Sequence, residues 1–449
     1  MADLIKKGVH GCSKEESYIP PTDPLILERL EWFRDQKLAL MMHFGPYSQM
    51  GAECSWCLSE EDSWARSEVD WEEDLETFRR QYLDLNKSFN PVRMQPDKWA
   101  EFAAENGFKY LIFTAKHHDG FCMFDTKYSD YKVTSPDCPF HTHKYANVAK
   151  SVFDAFREKG LGIAAYFSKP DWSCPWYWAK GMEIPWGKNR RPTYDPKEHP
   201  EIWEAFTRYT HNQIMELVEN YGKLDILWLD GGTVRPSNGL DIRLSEVVER
   251  AREVQPWLIT ADRTAATENE NYITPEQAIP ESVIHVPWES CITIGKRWIY
   301  RYNDNYKSAR TLVRMLIEVV SRGGNLAINV GPQADGRLPE EALRELRGLG
   351  GWLKANGEAI YGTRALDTAQ IDDVMYTKKG NILYALLPLQ EGKTLGQSVD
   401  IPTDRAIKEV TCLGFDAPLS FVKTNKGVQV TLPEEAVGTA PYAVAFKLV

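Results

Sequence analysis

The residue with the clearest chemical potential lies where one apolar run of the sequence stops. Asp230 directly follows the run 225–229, and two glycines, Gly231 and Gly232, come after it. A lone carboxylate in this position suits nucleophilic attack on an anomeric carbon, and the glycines permit a tight turn and close approach of a substrate. The competing interpretation is a helix N-cap, but the next predicted helix begins only near Ser245. The pattern therefore favours a nucleophile.

The same relation between an apolar run and a polar residue recurs along the chain. A histidine at a strand end is more often structural than catalytic, so each case alone is weak. Together, on one rim of a barrel, they indicate an enzyme. The residues concerned are His43 with Glu53 and Trp56 in its loop, Lys116 to Gly120, Tyr166 with Lys169, Asp171 and Trp172, Trp228 with Asp230, Asp262 with Arg263, Trp288 with Glu289 and Ser290, and Asn329.

The adjacent pair His117 and His118 could suggest a metal site. Neighbouring residues of a strand point to opposite faces, whereas two ligands of one metal usually stand at i, i+2 or i, i+4. We therefore predict that both histidines bind hydroxyl groups by hydrogen bonds. The sequence has no GxSxG nucleophile elbow, no HExxH zinc helix and no glycine-rich phosphate loop. No metal and no cofactor are expected.

The cysteines predict a reduced protein. Eight of them are scattered over the whole chain, too sparsely for a disulfide framework. The single CxxC motif, Cys54 to Cys57, lacks the second pair of a structural zinc site and the immediate helix start of a redox site. A cytoplasmic location is expected, also because the first residues contain no apolar segment of a signal peptide; a trimmed leader would change this to a secreted or periplasmic protein.

Composition excludes two classes of partner. The net charge of -11 argues against nucleic acid and anionic membrane surfaces, which require a basic footprint. No run of about eighteen apolar residues is present, so no membrane span is expected. The 15 Trp, 20 Tyr and 17 Phe mostly suit a large core, and they also suit stacking against sugar rings.

From about residue 28 to 360, short apolar runs alternate with amphipathic stretches. Such alternation predicts a parallel sheet, because parallel crossovers need a helix. The predicted strands are 38–43, 110–116, 161–167, 225–229, 257–261, 283–288 and 325–330. The predicted helices are 97–106, 148–159, 205–221, 245–254, 308–322 and 341–356.

A barrel and an open doubly wound sheet compete for this pattern. The open sheet would carry a glycine-rich turn after its first strand, but the turn here is His43-Phe44-Gly45-Pro46, which cannot cradle a pyrophosphate. We therefore predict an α/β fold with a (β/α) TIM-like barrel over 1–362, with one strand not located. Short alternating strands at 381–387, 408–413, 427–432 and 442–449 predict a C-terminal antiparallel β-sandwich domain over 363–449.

The motifs of the predicted barrel, taken as a set, resemble the α-L-fucosidase family of retaining glycoside hydrolases. The resemblance runs from about residue 31 to 363 in consistent order. The matching segments are His43-Phe44-Gly45, Lys116-His117-His118-Asp119-Gly120-Phe121, Phe124-Asp125-Thr126, Trp228-Leu229-Asp230-Gly231, Thr274-Pro275-Glu276, Trp288-Glu289-Ser290-Cys291, Arg322-Gly323-Gly324-Asn325 and Asn329-Val330-Gly331-Pro332.

This resemblance implies a metal-free, exo-acting α-L-fucosidase that removes terminal α-L-fucose from fucosylated glycans with retention of configuration. Asp230 would form a covalent fucosyl-enzyme, and a second carboxyl group would protonate the leaving oxygen and then activate water. The residues implied in binding the fucose hydroxyls and the nucleophile are His43, His117, His118, Tyr166 and Arg263. Trp228, Glu53 and Trp56 would complete the pocket, although the family's common Glu-Trp pair is here Glu53-Cys54-Ser55-Trp56.

Two glutamates compete for the role of acid/base. Glu289 ends the predicted sixth strand, and strand ends place side chains accurately. Glu276 follows Thr274-Pro275 in a loop, from which a carboxyl group can approach to the roughly 5 Å needed by a retaining pair. Because Trp288-Glu289 resembles pocket framework, we prefer Glu276 and keep Glu289 as the alternative.

Two other functions are compatible with the sequence. One is a non-catalytic fucose-binding protein, and the other is a retaining glycosidase of the same fold for another sugar, such as an α-galactoside. The linkage preferred (α1,2, α1,3/4 or α1,6) depends on loops that the sequence does not define. The sequence is also compatible with a homo-oligomer.

Overall fold

The computed structural model describes residues 6–7, 12–67, 74–392, 395–415, 418–433 and 442–449. Its centre is a curled sheet of seven parallel strands in the order β5-β4-β3-β2-β1-β7-β6. The strands are β1 (Leu38–Met42), β2 (Tyr110–Lys116), β3 (Gly162–Ser168), β4 (Ile226–Asp230), β5 (Ile259–Asp262), β6 (Glu289–Thr293) and β7 (Asn325–Asn329). The N-terminal segment in which no signal peptide was expected lies largely outside the described residues.

Six of the seven predicted strands are confirmed, with ends that differ by no more than two residues. The sixth prediction, 283–288, is wrong, because that run forms a loop and the strand begins at Glu289. Pro287 explains the difference: it has no backbone N–H to donate to a central ladder. The segment that pairs with β7 is instead the more polar Glu289–Thr293, which follows Trp288 and begins with Glu289 opposite Asn325.

The segment 270–279 fills the position of the eighth barrel strand; it is irregular up to Gln277 and ends in the short strand Ala278–Ile279, which pairs in parallel with Lys6–Lys7. On one side the Asn271 amide donates to the Thr260 carbonyl at 2.9 Å. On the other side the Glu289 amide donates to the Ile273 carbonyl at 3.0 Å, and the Cys291 amide to the Pro275 carbonyl at 3.1 Å. The sheet is thus bridged into a TIM-like barrel, and this segment carries Glu276.

The barrel interior follows from the two-residue period of its strands. Small inward residues, among them Ala39, Ala164 and Ala261, leave room for the large rings of Tyr166 and Trp228. Intervening residues of the strands pack outward against the helices. The barrel is therefore filled by side chains, and the polar ones gather at the C-terminal ends of the strands.

Eight α-helices surround the barrel among the described residues. They are α1 (Pro24–Gln36), α2 (Leu75–Leu83), α3 (Pro96–Glu105), α4 (Val148–Glu158), α5 (Pro200–Asn220), α6 (Leu244–Val254), α7 (Ala309–Ser321) and α8 (Glu340–Asn356). Helices α1 and α2 were not predicted. Helix α1 closes the N-terminal end of the barrel, where Phe33 stacks on Tyr272 at 4.2 Å. No described helix has the length and apolar character to cross a bilayer.

Two antiparallel sheets follow the barrel and confirm the predicted sandwich. The strands are β8 (Gln370–Ile371), β9 (Val374–Lys379), β10 (Ile382–Pro388), β11 (Ser398–Pro402), β12 (Val410–Cys412), β13 (Ser420–Lys423), β14 (Gly427–Thr431) and β15 (Ala443–Leu448). Their order is β8-β9-β10-β15-β12 in one sheet and β11-β14-β13 in the other. In β10, Tyr384 and Leu386 pack toward the barrel, while Leu383 and Ala385 face the sandwich core.

Lys37, at the end of α1, is fully buried, and its Nζ has no hydrogen-bond partner among the described residues. Burial lowers the pKa of this amine to about 7. In the unfolded chain the pKa of lysine is about 10.4, so the unfolded state binds more protons between these two values. The penalty on stability is therefore complete below about pH 7 and is relieved as the pH rises toward about 10.

We accordingly expect Lys37→Met to raise the free energy of unfolding at about pH 6, with a gain that shrinks toward about pH 10. Urea unfolding at several pH values measures this gain. Lys354→Met, on the exposed side of α8, is the matched control and should give no such trend. A gain for Lys37→Met that is the same at every pH would contradict the argument.

Candidate active site

A cavity of about 370 Å³ opens at the C-terminal ends of the barrel strands, the end at which barrel enzymes place their active sites. Nine of the eleven predicted site residues line it: His43, Trp56, His117, His118, Tyr166, Trp228, Asp230, Arg263 and Glu276. Its floor is buried, and its mouth is only half-buried. The other two predicted residues, Glu53 and Glu289, lie outside the lining.

Asp230 ends β4 at the floor of this cavity. Its Oδ2 accepts a hydrogen bond from the Tyr166 hydroxyl at 2.5 Å, and its Oδ1 lies 2.7 Å from Arg263 Nη1. Burial alone would raise the pKa of Asp230, but the charge of Arg263 and the Tyr166 hydrogen bond outweigh it and hold the pKa well below its usual range. The carboxylate is therefore ionised and aimed at the cavity.

The two glycines after Asp230 allow a tight turn at the end of β4. Gly231 has a φ of +89° and donates its amide to Asp230 Oδ1 at 2.7 Å. A Cβ on Gly232 would lie 1.6 Å from Thr264 Oγ1, so the glycine lets the neighbouring loop pack closely. Helix α6 begins only at Leu244. Asp230 is thus not a helix cap.

Arg263 connects the two carboxyl groups of the site. Its Nη2 lies 2.7 Å from Glu276 Oε2, while Nη1 holds Asp230. The guanidinium also lies 4.6 Å above the Trp228 ring and donates from Nε to Thr274 Oγ1. One planar cation therefore fixes both carboxyl groups on the same side of the cavity. Glu276 is 36% exposed, so water reaches it.

His117 and His118 both face the cavity, which corrects the expectation of opposite faces. Strand β2 ends at Lys116, and the backbone then turns, with the Gly120 amide donating to the His117 carbonyl at 3.0 Å. The alternation of a strand no longer applies there, and the two rings lie with their centroids 4.3 Å apart.

Each histidine of the floor has one ring nitrogen held by a neutral group. His43 Nδ1 lies 2.7 Å from Asn329 Oδ1, and His117 Nδ1 lies 2.5 Å from Ser55 Oγ. Burial lowers the pKa of His43 and of His118 to about 4, and it lowers that of His117 well below the ordinary value. All three rings are therefore neutral at neutral pH and suited to binding hydroxyl groups.

Ligand atoms of His117, His118 and Asp230 lie within 4.8 Å of one another, close enough to raise the question of a cation. The guanidinium of Arg263 already places a positive charge 2.7 Å from Asp230. This charge opposes a second cation at the same carboxylate. The absence of a metal remains a prediction that the charge distribution supports.

Glu289 lies beneath the cavity. It begins β6 rather than ending a strand, so it belongs to the N-terminal end of the barrel. Its carboxyl group accepts hydrogen bonds from the Tyr110 hydroxyl and, at 3.0 Å, from Trp228 Nε1. Burial raises the pKa of Glu289 to about 7. Glu289 is therefore hydrogen-bonded to the lower edge of the Trp228 ring.

Glu53 lies behind the cavity wall. Its Oε1 accepts the Trp298 amide at 3.1 Å, and Oε2 lies 3.6 Å from Arg297 Nε. Burial raises the pKa of Glu53 to about 7. The carboxyl group therefore anchors the loop that carries Trp298, whereas Trp56 lines the cavity itself.

Sequence reasoning missed several residues of the mouth, because they lie in long loops without a strand end to mark them. Trp298 packs against His43 with centroids 4.9 Å apart, and Arg190 lies 4.3 Å above the Trp56 ring. The excess of aromatic residues was the one available signal. The others at the mouth are Thr233, Arg235, Asn238 and Thr264.

Non-glycine residues with positive φ flank the site at three points. Cys54 (φ +41°) is next to Glu53, Thr264 (+60°) follows Arg263, and Gln277 (+49°) follows Glu276. Such conformations are costly, most of all for a β-branched threonine. Two of the three bends directly follow Arg263 and Glu276, so they lie where the loops bring these side chains to the cavity.

Comparisons with known proteins agree with this geometry. The family model described as Alpha-L-fucosidase matches residues 9–358. The plasma α-L-fucosidase of Rattus norvegicus is 28% identical, over 95% of this chain and 92% of that protein. α-L-Fucosidase isoenzyme 1 from Paenibacillus thiaminolyticus is 30% identical with a TM-score of 0.77, over 95% of this chain and 99% of that one.

A second solved structure, the Thermotoga maritima α-fucosidase in complex with fucose, has a TM-score of 0.75 and 27% identity, over 96% of this chain and 100% of that one. The family match covers the whole barrel. The chain therefore belongs to the α-L-fucosidase family, and it is a glycoside hydrolase.

Proposed function

We propose that this enzyme removes terminal α-L-fucose from fucosylated glycans by double displacement, with Asp230 as the nucleophile. The observation that carries the proposal is the state of Asp230, an ionised carboxylate at the cavity floor, held by Arg263 and Tyr166. A nucleophile must be deprotonated and must be fixed along its line of attack. Asp230 meets both conditions before a substrate arrives.

In the first step Asp230 attacks the anomeric carbon and the bond to the leaving oxygen breaks. We assign protonation of that oxygen to Glu276, which is bound to the same guanidinium, takes up its proton from solvent at the mouth and donates it as the bond breaks. In the second step Glu276 accepts a proton from water, which attacks the fucosyl-enzyme and releases fucose. The configuration is retained because the anomeric carbon is inverted twice.

The cavity suits the end of a glycan. Its floor is closed by the buried rings of Tyr166 and Trp228, so a sugar chain can leave only through the mouth. This shape supports exo action. His43, His117 and His118 would contact the hydroxyl groups, with Trp56 and Trp298 along the wall. The Thermotoga relative, solved in complex with fucose, supports the choice of sugar.

Hydrolysis of aryl α-L-fucoside, compared with aryl α-D-galactoside, tests the function. We expect nitrophenol release from the fucoside, with a kcat/KM at least about 100-fold above that for the galactoside, because a buried pocket discriminates strongly against an unmatched polar group. Release from neither substrate, with fucose still bound in calorimetry, would indicate the non-catalytic binding protein. Preference for the galactoside would indicate the other-sugar alternative.

A cytoplasmic location remains a prediction. Each of the eight cysteines is a free thiol in the structure, and seven of them are buried. Free thiols are the expected state in a reducing compartment. Fractionation of the source cells with detection of activity tests this directly.

A further inference from the structure

Ser168, the last residue of β3, contacts His118 of the cavity floor through its hydroxyl group. Its side chain is fully buried. The Ser168 hydroxyl donates to the Pro170 carbonyl at 2.7 Å, and the same oxygen lies 2.5 Å from His118 Nδ1. A serine hydroxyl has one hydrogen, and that hydrogen is already used. The hydrogen of the second bond must therefore come from His118 Nδ1.

A hydrogen on Nδ1 determines the protonation of the other ring nitrogen of His118. A neutral imidazole carries one N–H, so His118 Nε2 is a bare acceptor. It is buried without a hydrogen-bond partner among the described residues, and it lies 3.7 Å from Asp230 Oδ2. Two acceptors thus face each other across the cavity floor with no hydrogen between them.

We propose that Ser168 is a positioning residue that fixes the tautomer of His118, so that Nε2 accepts a hydrogen bond from one hydroxyl group of the substrate. The inference rests on the fucosyl group occupying this cavity. A ligand without that hydroxyl leaves a buried acceptor unpaired, and it is rejected for that reason. Ser168 thereby contributes to sugar specificity without touching the sugar.

The opposite tautomer would have the reverse effect. With its hydrogen on Nε2, His118 would point an N–H at Asp230 Oδ2, 3.7 Å away, and compete with the substrate for the nucleophile. It would also offer the sugar no acceptor. The Ser168 hydroxyl prevents this by accepting from Nδ1, and the Pro170 carbonyl orients the hydroxyl.

His43 shows the same arrangement from another strand. Asn329 donates from Nδ2 to the Trp298 carbonyl at 2.6 Å, which leaves its Oδ1 facing His43 Nδ1. An amide oxygen only accepts, so His43 also carries its hydrogen on Nδ1 and presents a bare Nε2. Two histidines of the floor are therefore set as acceptors by their neighbours.

Nitrogen-15 NMR of histidine-labelled protein tests the tautomer directly, with His118→Gln used to assign the signal. In the wild-type protein at neutral pH we expect a protonated Nδ1 and a bare Nε2 at His118. In Ser168→Ala the hydrogen should move to Nε2. A wild-type His118 with its hydrogen on Nε2 would overturn the proposal. This spectrum needs no turnover, so it is decisive even if the reaction proposed above is wrong or Ser168→Ala does not fold.

Deoxygenated substrates test the consequence for specificity. We compare aryl α-L-fucoside with its 2-, 3- and 4-deoxy analogues on wild type, on Ser168→Ala and on Ser321→Ala, a control that removes a buried serine hydroxyl from α7. Ser168→Ala should lower kcat/KM on the parent about tenfold, the value of one hydrogen bond. For one analogue this penalty should disappear, and Ser321→Ala should leave all ratios unchanged. An equal penalty on all three analogues would refute the role in specificity.

Discussion

Asp230→Ala is expected to lower kcat/KM on aryl α-L-fucoside by about 10⁴–10⁶-fold, with the upper value that of a serine protease that loses its nucleophile. The substitution removes the attacking oxygen and leaves Arg263 without the partner at 2.7 Å. Both steps of the double displacement then fail. Asp230→Asn is the matched control, because it keeps the shape of the side chain and the Tyr166 contact while it removes the charge. Its kcat/KM should fall nearly as far as that of Asp230→Ala.

Added azide distinguishes the loss of a nucleophile from general damage. Azide can enter the space vacated by the Asp230 carboxylate and attack the anomeric carbon directly, with a single inversion. The expected product is the β-fucosyl azide, identified by proton NMR. Formation of α-fucosyl azide by Asp230→Ala, or activity close to wild type, would show that another carboxylate forms the covalent intermediate.

The floor of the site could be predicted from the sequence because barrel strands have a fixed period. Trp228 and Asp230 stand two residues apart, so both point inward, and the strand end places Asp230 at the cavity. Tyr166 follows the same rule on β3. The sheet itself was predictable for the same reason, since buried parallel strands are continuous apolar runs.

The mouth and the sixth strand could not be predicted in this way. Pro287 interrupts the apolar run 283–288, and no local pattern tells whether the strand precedes or follows it. That ambiguity moves Glu289 from one end of the barrel to the other. Trp298 and Arg190 reach the cavity through loops held by distant contacts, such as the Arg190 pair with Asp62. Such contacts have no periodicity.

Glu276→Ala is the second substitution with a large expected effect, and the effect should depend on the leaving group. For natural fucosyl oligosaccharides, whose leaving oxygen needs a proton, kcat/KM should fall by about 10²–10⁴-fold. For an aryl fucoside with a very acidic phenol it should fall far less, because that phenolate departs unprotonated. Measuring both substrates on the same preparation gives the comparison.

Azide should rescue Glu276→Ala with the opposite stereochemistry to that in Asp230→Ala. The fucosyl-enzyme still forms on Asp230, and azide needs no base to attack it, so the product should be the α-fucosyl azide. The two azide products together assign the two carboxyl groups. β-Fucosyl azide from Glu276→Ala would contradict the assignment.

Glu289→Gln provides the contrasting case for the second glutamate. Its carboxyl group lies beneath Trp228 and accepts from Trp228 Nε1 at 3.0 Å, outside the cavity lining. We expect kcat/KM of this variant to fall by a similar factor on activated and on natural substrates, because a displaced Trp228 ring impairs binding whatever the leaving group. Azide should not rescue it. If Glu289→Gln instead shows the leaving-group dependence, and Glu276→Ala does not, then Glu289 is the acid/base and the barrel must open from below during the reaction.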